Sequence, residues 1–181
     1  STFGASPNPF YLIAKGGGAS TAWTDSTPQG FQNGGSAAGG SGTPTSNPDS
    51  YRNAGTALQP TQPGNSGTYG HGSGAGQGGR SSGDTGAAGG GGAGGASSSV
   101  PSPGSEPGTV GTDGGAGYSA PAFPGPVIAP AIPSPVQPAW TPVVGPTGTF
   151  AGGGGGGAGG THPGDLGEGG SGGGGRGGSA Q

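Results

Sequence analysis

Gly83-Asp-Thr-Gly86-Ala-Ala-Gly89-Gly-Gly-Gly92-Ala-Gly-Gly95 holds a glycine at every third position without a break. The same spacing returns at Gly64, Gly67 and Gly70, at Gly108, Gly111, Gly114 and Gly117, at Gly154, Gly157 and Gly160, and at Gly164, Gly167, Gly170 and Gly173. A period of three belongs to the polyproline II backbone, which has three residues per turn and rises about 3.1 Å per residue, so each third residue falls in one column along the rod. A column of glycines makes one side of the rod bare backbone. Neighbouring rods can then approach until amides of one meet carbonyls of the next. The spacing therefore predicts an irregular, non-α fold: a bundle or sandwich of polyglycine II or polyproline II helices joined by long loops, with at most one or two short β-strands. Helix formers are too scarce to sustain helices, and essentially no α-helix is expected.

Composition sets the energetic problem such a chain must solve. Its 181 residues include 54 Gly and 20 Pro, with 25% hydrophobic and 6% charged residues. Chains this rich in Gly and Pro usually stay disordered, because they bury too little apolar surface to offset ordering entropy. Disordered chains also tend to carry substantial net charge, whereas the formal charge here is only −3. Fixing a backbone residue costs about 1–2 kcal/mol, while a net intramolecular hydrogen bond returns about 0.5–1.5 kcal/mol. Hydrogen bonds alone nearly break even. Packing of many rods side by side, or association between chains, has to supply the remainder.

Several classes are disfavoured outright. There is no cysteine, so no disulfide can brace the fold. No apolar run approaches the roughly 20 residues needed to cross a bilayer as a helix, and membrane insertion is not expected. Four basic residues, Lys15, Arg52, Arg80 and Arg176, against seven acidic ones leave no electrostatic footprint for nucleic acid. The run 152–157 lacks the Gly-Lys-Ser/Thr ending of a phosphate-binding loop. No paired carboxylates, no nucleophile beside a base and no metal-ligand spacing stand out, so the expectation is a chain that is not an enzyme, with no cofactor and no metal. Methionine is absent even at position 1, which leads to the expectation that the chain belongs to a longer polypeptide.

The chain reads as one glycine-rich domain over 1–181. Residues 1–33 are mixed, and the stretch Pro9-Phe-Tyr-Leu-Ile-Ala14 reads as one strand. Rods follow over 34–117, interrupted by a polar loop at 43–63 and reversed at a turn near Arg80-Ser-Ser82. Residues 118–146 form a Pro/apolar excursion in which nine prolines alternate with apolar side chains. Proline presets the extended backbone but removes the donor, which places this segment at an edge, a tip or an interface. Residues 147–181 supply the last rods and a tail. Gly89–Gly92 and Gly152–Gly157 carry no side chain in any column and are expected to be surrounded on all sides. The 108–117 rod, with glycine in one column, is expected on the outside with Thr112, Asp113 and Ala116 turned outward. Collagen is disfavoured because the register shifts repeatedly.

Ser1-Thr-Phe-Gly-Ala, Leu12-Ile-Ala-Lys-Gly-Gly-Gly18, and Thr147-Gly-Thr-Phe150 running into the 152–157 polyglycine resemble the glycine-rich domains of bacteriophage tail-fibre and other virion appendage proteins. The likeness spans most of 1–117 and 147–178. It implies a polyglycine II sandwich whose connecting loops touch a host-surface receptor, with other copies of the chain or other virion subunits as partners. Localisation on the virion follows from it. The insertion at 118–146 departs from that pattern. A cellular, extracellular structural glycine-rich protein of wall, sheath or filament is the alternative, and an ice-binding protein the second. Aromatic side chains have little core to enter in such a chain. Trp140, Phe123 and Tyr51, in the two long excursions, are the expected receptor or subunit contacts, since aromatics are rigid interface anchors.

Overall fold

The computed structural model describes residues 2–3, 12–13, 15–19, 32–44, 53–59, 71–81, 86–100, 110–119, 124–135, 143, 145, 148–159 and 165–180. Among them the chain is mostly non-helical. Extended segments lie side by side, and their backbones are bonded to one another at every third residue. Ala87, Gly90 and Ala93 donate in turn to the carbonyls of Gly157, Gly154 and Ala151 at 2.8, 2.9 and 2.9 Å. Both partners advance by three, in opposite senses. Gly111, Gly114 and Gly117 donate to Asp165, Glu168 and Ser171 at 2.7, 2.9 and 2.9 Å, again stepping by three but with the two segments parallel. A β-ladder would step by two on each strand.

Two antiparallel segments, 86–93 and 151–157, lie at the middle. Different columns of the first are bonded to different neighbours. Ala88 and Gly91 donate to Gly40 and Ala37, while the carbonyls of Ala87 and Gly90 accept from Thr112 and Gly115. The second middle segment is served likewise. Gly153 and Gly156 donate to Gly115 and Thr112, and Gly152, Gly155 and Ala158 donate to Gly172, Gly175 and Gly178. The 110–117 segment thus bridges both. On one flank, 32–44 carries 53–59 and 71–81; on the other, 165–171 carries 173–180 through Gly174 to Gly170 and Gly177 to Gly167.

The glycine columns explain how backbones come this close. A Cβ placed on Gly86, Gly89 or Gly92 would lie 2.4, 2.5 or 2.1 Å from the carbonyl oxygens of Val110, Asp113 and Ala116. One on Gly111, Gly114 or Gly117 would meet those of Gly156, Gly153 and Phe150 at 2.0, 1.9 and 2.4 Å. The glycines of these two columns therefore face the backbone of neighbouring segments. Apolar burial among the described residues is slight by comparison: the buried hydrophobic ones are Ala37, Ala38, Ala88, Val100 and Ala158.

Several expectations are corrected. Instead of one or two strands there are, among the described residues, eight, each of two residues, in four pairs. β1 (Thr2–Phe3) pairs antiparallel with β2 (Leu12–Ile13), and β3 (Thr43–Pro44) parallel with β4 (Arg80–Ser81). β5 (Tyr118–Ser119) pairs antiparallel with β6 (Thr149–Phe150), and β7 (Ala158–Gly159) parallel with β8 (Ser179–Ala180). Most of these pairs involve the ends of the extended segments, where side chains replace glycine and a period of two can take over. The polar stretch expected as a loop at 43–63 also contributes structure. Residues 53–59 lie along 32–38, with Gly55 and Leu58 donating to Ala38 and Gly34. Arg80–Ser81 continue their segment as β4, and the chain has reversed by Gly86, whose carbonyl accepts from Gly79.

The Pro/apolar excursion is not extended throughout. Gly125–Ile128 form one α-helical turn, α1, followed by a 3-10 turn at Ala129–Ala131. Each turn has a proline at its first positions, where a missing N–H removes no bond and φ is already helical. Of the two all-glycine runs, 89–92 is largely enclosed, whereas Gly154 in the second is exposed. In the 110–117 segment Asp113 and Ala116 are exposed as expected, but Thr112 is half-buried. Its Oγ1 accepts from Gly89 N–H at 3.1 Å and donates to the Ser98 carbonyl at 2.7 Å.

Candidate functional site

Side chains with chemistry gather where the glycine runs stop. Tyr118 follows the 111–117 column, Phe150 and Ala151 precede the polyglycine run, Ala93 ends the 86–93 segment, and His71 opens the 71–81 segment. Together with Lys15 and Gln59 they line a half-open cavity of about 500 Å³ at one end of the bundle. The His71 and Tyr118 rings are stacked, with centroids 3.8 Å apart and planes inclined by 23°. Tyr118 keeps 38% of its surface exposed. Its position is set from below by the β5–β6 register, which puts Tyr118 opposite Phe150. The hydroxyls of the next pair, Ser119 and Thr149, lie 3.3 Å apart.

The polar side of the cavity is equally tied down. Gln59 Oε1 accepts from the backbone N–H of Lys15 at 2.8 Å, fixing the 15–19 segment against the end of 53–59. Ala151 holds a φ of 61°, the left-handed region that favours glycine, as the chain leaves β6 for the polyglycine run. The described lining residues include one ammonium, Lys15, and no carboxylate.

A second groove, about 490 Å³, runs along the bundle between 36–41 and 152–157 over the 87–91 segment. Its walls are backbone and small side chains, the hydroxyls of Ser36 and Ser41 among them. Among the described residues no cluster of three His, Cys, Asp or Glu side chains could hold a metal ion. No described helix is long and apolar enough to cross a membrane.

The three expected contact residues, Trp140, Phe123 and Tyr51, lie outside the described residues. Nearby, α1 leaves Val127 70% exposed on the same Pro/apolar excursion. Tyr118 stood out in the sequence as an aromatic without a core; Lys15, Gln59, His71 and Phe150 did not stand out as a group. Tyr118 and Phe150 share a signal of position: each flanks a glycine-rich run, and the β5–β6 pairing sets them opposite one another. Compared with known proteins, the chain matches no family model, no curated protein and no solved structure.

Proposed function

We infer that this chain is a non-enzymatic structural protein, a polyglycine II bundle serving as a segment of a virion appendage of the tail-fibre type and carrying host-contacting loops. The observation that carries the scaffold half of this reading is the three-residue step of the ladders, combined with glycine columns turned toward neighbouring carbonyls. Such a body is stiff because each rod is tied in several directions at once, and it holds its loops at fixed spacing. The virion half rests on the resemblance of Ser1-Thr-Phe-Gly, Leu12-Ile-Ala-Lys-Gly-Gly-Gly18 and the 147–160 region to appendage proteins. Trp140, Phe123 and Tyr51 are the contacts proposed for the receptor or a neighbouring subunit.

Amide exchange tests the scaffold. Along 152–158, the amides of Gly152, Gly153, Gly155, Gly156 and Ala158 donate within ladders, while those of Gly154 and Gly157 do not. Two slow amides followed by one fast amide is the expected repeat. Alternation with a period of two would replace the bundle by pleated ribbon. Immunogold labelling with antibodies against the chain tests the location: label on phage appendages supports the virion, and label along a cell-borne filament moves the chain to the extracellular structural class. Alanine at Trp140 and Phe123 is expected to lower host adsorption with assembly intact, and unchanged adsorption would return those residues to a structural role. An ice-binding face is the weakest reading, because the outward column Val110, Asp113 and Ala116 offers no regular row of threonine or alanine.

A further inference from the structure

We propose that the cavity lined by Tyr118, His71, Lys15 and Gln59 is a saccharide-binding site, in which the Tyr118 ring, backed on one face by the stacked His71 ring, offers its other face as the platform for a pyranose ring. The site goes beyond the scaffold reading and stands whether a virion or a cell carries the chain. Three features select this class of ligand. A flat aromatic wall with an electron-rich face favours a ligand presenting C–H groups along one side, which a pyranose does and a freely rotating alkyl chain does not. Lys15, Gln59 and Ser36 line the same cavity and bring it polar groups, suited to the hydroxyls that a sugar carries at its edge. A cavity of about 500 Å³, open to solvent on one side, admits one sugar unit or two while leaving the rest of a chain outside.

The lining also argues against other ligands. A purely apolar molecule would set the ammonium of Lys15 against hydrocarbon, at the expense of its hydration. An organic cation would find Lys15 and none of the carboxylates that could offset its charge among the described lining residues. The walls are also pre-organised. Tyr118 is fixed by the β5–β6 register, His71 by the ring stack, and Gln59 by its bond to the Lys15 amide. Little ordering remains for a ligand to impose, which matters for a small ligand with few contacts.

The test uses the full chain and three probes: methyl β-D-glucopyranoside, methyl β-D-galactopyranoside and methyl α-L-rhamnopyranoside. Saturation-transfer NMR is expected to show transfer to the ring C–H protons of at least one probe, with amide shifts at Tyr118, His71 and Ala151. Tyr118→Leu, which keeps apolar bulk but removes the flat ring, and His71→Ala are each expected to weaken that binding by roughly tenfold. Val127→Ala, on α1 and outside the cavity, is expected to bind as the parent does. No transfer to any of the three probes overturns the proposal, as does undiminished binding by both cavity variants. Should a cavity variant fail to fold, the shift map of the parent decides: perturbation confined to the long glycine groove, or absent from Tyr118 and His71, overturns it equally.

Discussion

Individual glycines in this protein are not equivalent, and the difference lies in what faces each one. A Cβ on Gly156 would lie 1.9 Å from the Ala87 carbonyl oxygen, whereas one on Gly154 would find its nearest neighbour, the Gly175 oxygen, at 3.8 Å. Neither residue has a positive φ, so only space separates them. Gly156→Ala is expected to lose about 3 kcal/mol in a denaturant titration, the upper end for overpacking, since the obstacle is main chain that cannot rotate away. Gly154→Ala is expected to gain about 0.4–1 kcal/mol by restricting the unfolded chain. Equal effects of the two substitutions would contradict the packing described. The sequence made only part of this legible. The period of three identifies Gly86, Gly89 and Gly92 as a column, and that column does meet a neighbour. In the run 152–157 all three columns are glycine, so nothing in the residues says which one stays open. Here Gly154 is the position with room, while Gly157, three residues on in the same register, would put a Cβ 2.6 Å from the Gly178 oxygen.

At the level of single segments, one hydroxyl joins three of them. Thr112 on the 110–117 segment accepts from the Gly89 amide of the middle segment and donates to the Ser98 carbonyl of the stretch that follows it. Ser97 Oγ adds a bond to the Gly89 carbonyl, so the same residue is tied on both its polar groups. Thr112→Val keeps the shape and removes the hydroxyl, leaving the buried Gly89 N–H without its acceptor. A loss of about 1–3 kcal/mol is expected, with Thr112→Ser recovering most of it, as read from thermal unfolding of the two variants. By contrast, Arg176 and Glu168 pair at 3.0 Å with side chains 53% and 66% exposed. Such a pair contributes about 0–1 kcal/mol at most and falls with added salt. The helical turns at 125–131 were hidden in the sequence for a specific reason. Proline favours an extended backbone in its own right, yet Pro126 and Pro130 stand at helix starts, where the same fixed φ serves a helix equally well.

For the molecule as a whole, the slight apolar burial among the described residues has a calorimetric signature. The buried hydrophobic residues among those described are four alanines and one valine. Exposure of apolar surface raises the heat capacity on unfolding and exposure of peptide groups lowers it, and ordinary domains come out near about 12–15 cal/mol/K per residue. This chain is expected to fall clearly below that range. A value inside it would require an apolar core that the described residues lack. Composition points to little apolar burial, as is seen among the described residues, and the glycine period points to extended segments bonded sideways. Which segment lies beside which, and in what direction, depends on the reversals between them. Those are written in polar and proline-containing connectors whose sequences specify a turn without specifying its partner.

The clamp between β5 and β6 has a consequence for how such a protein can diversify. Because Tyr118 faces Phe150 and Ser119 faces Thr149, the two ends of the stretch 120–148 emerge side by side from the bundle. Closing a longer insert between fixed ends adds only about 0.6 kcal/mol for each doubling of its length. That stretch is therefore a replaceable cassette: its length and chemistry can drift, or be exchanged wholesale, while the glycine lattice beneath keeps its shape.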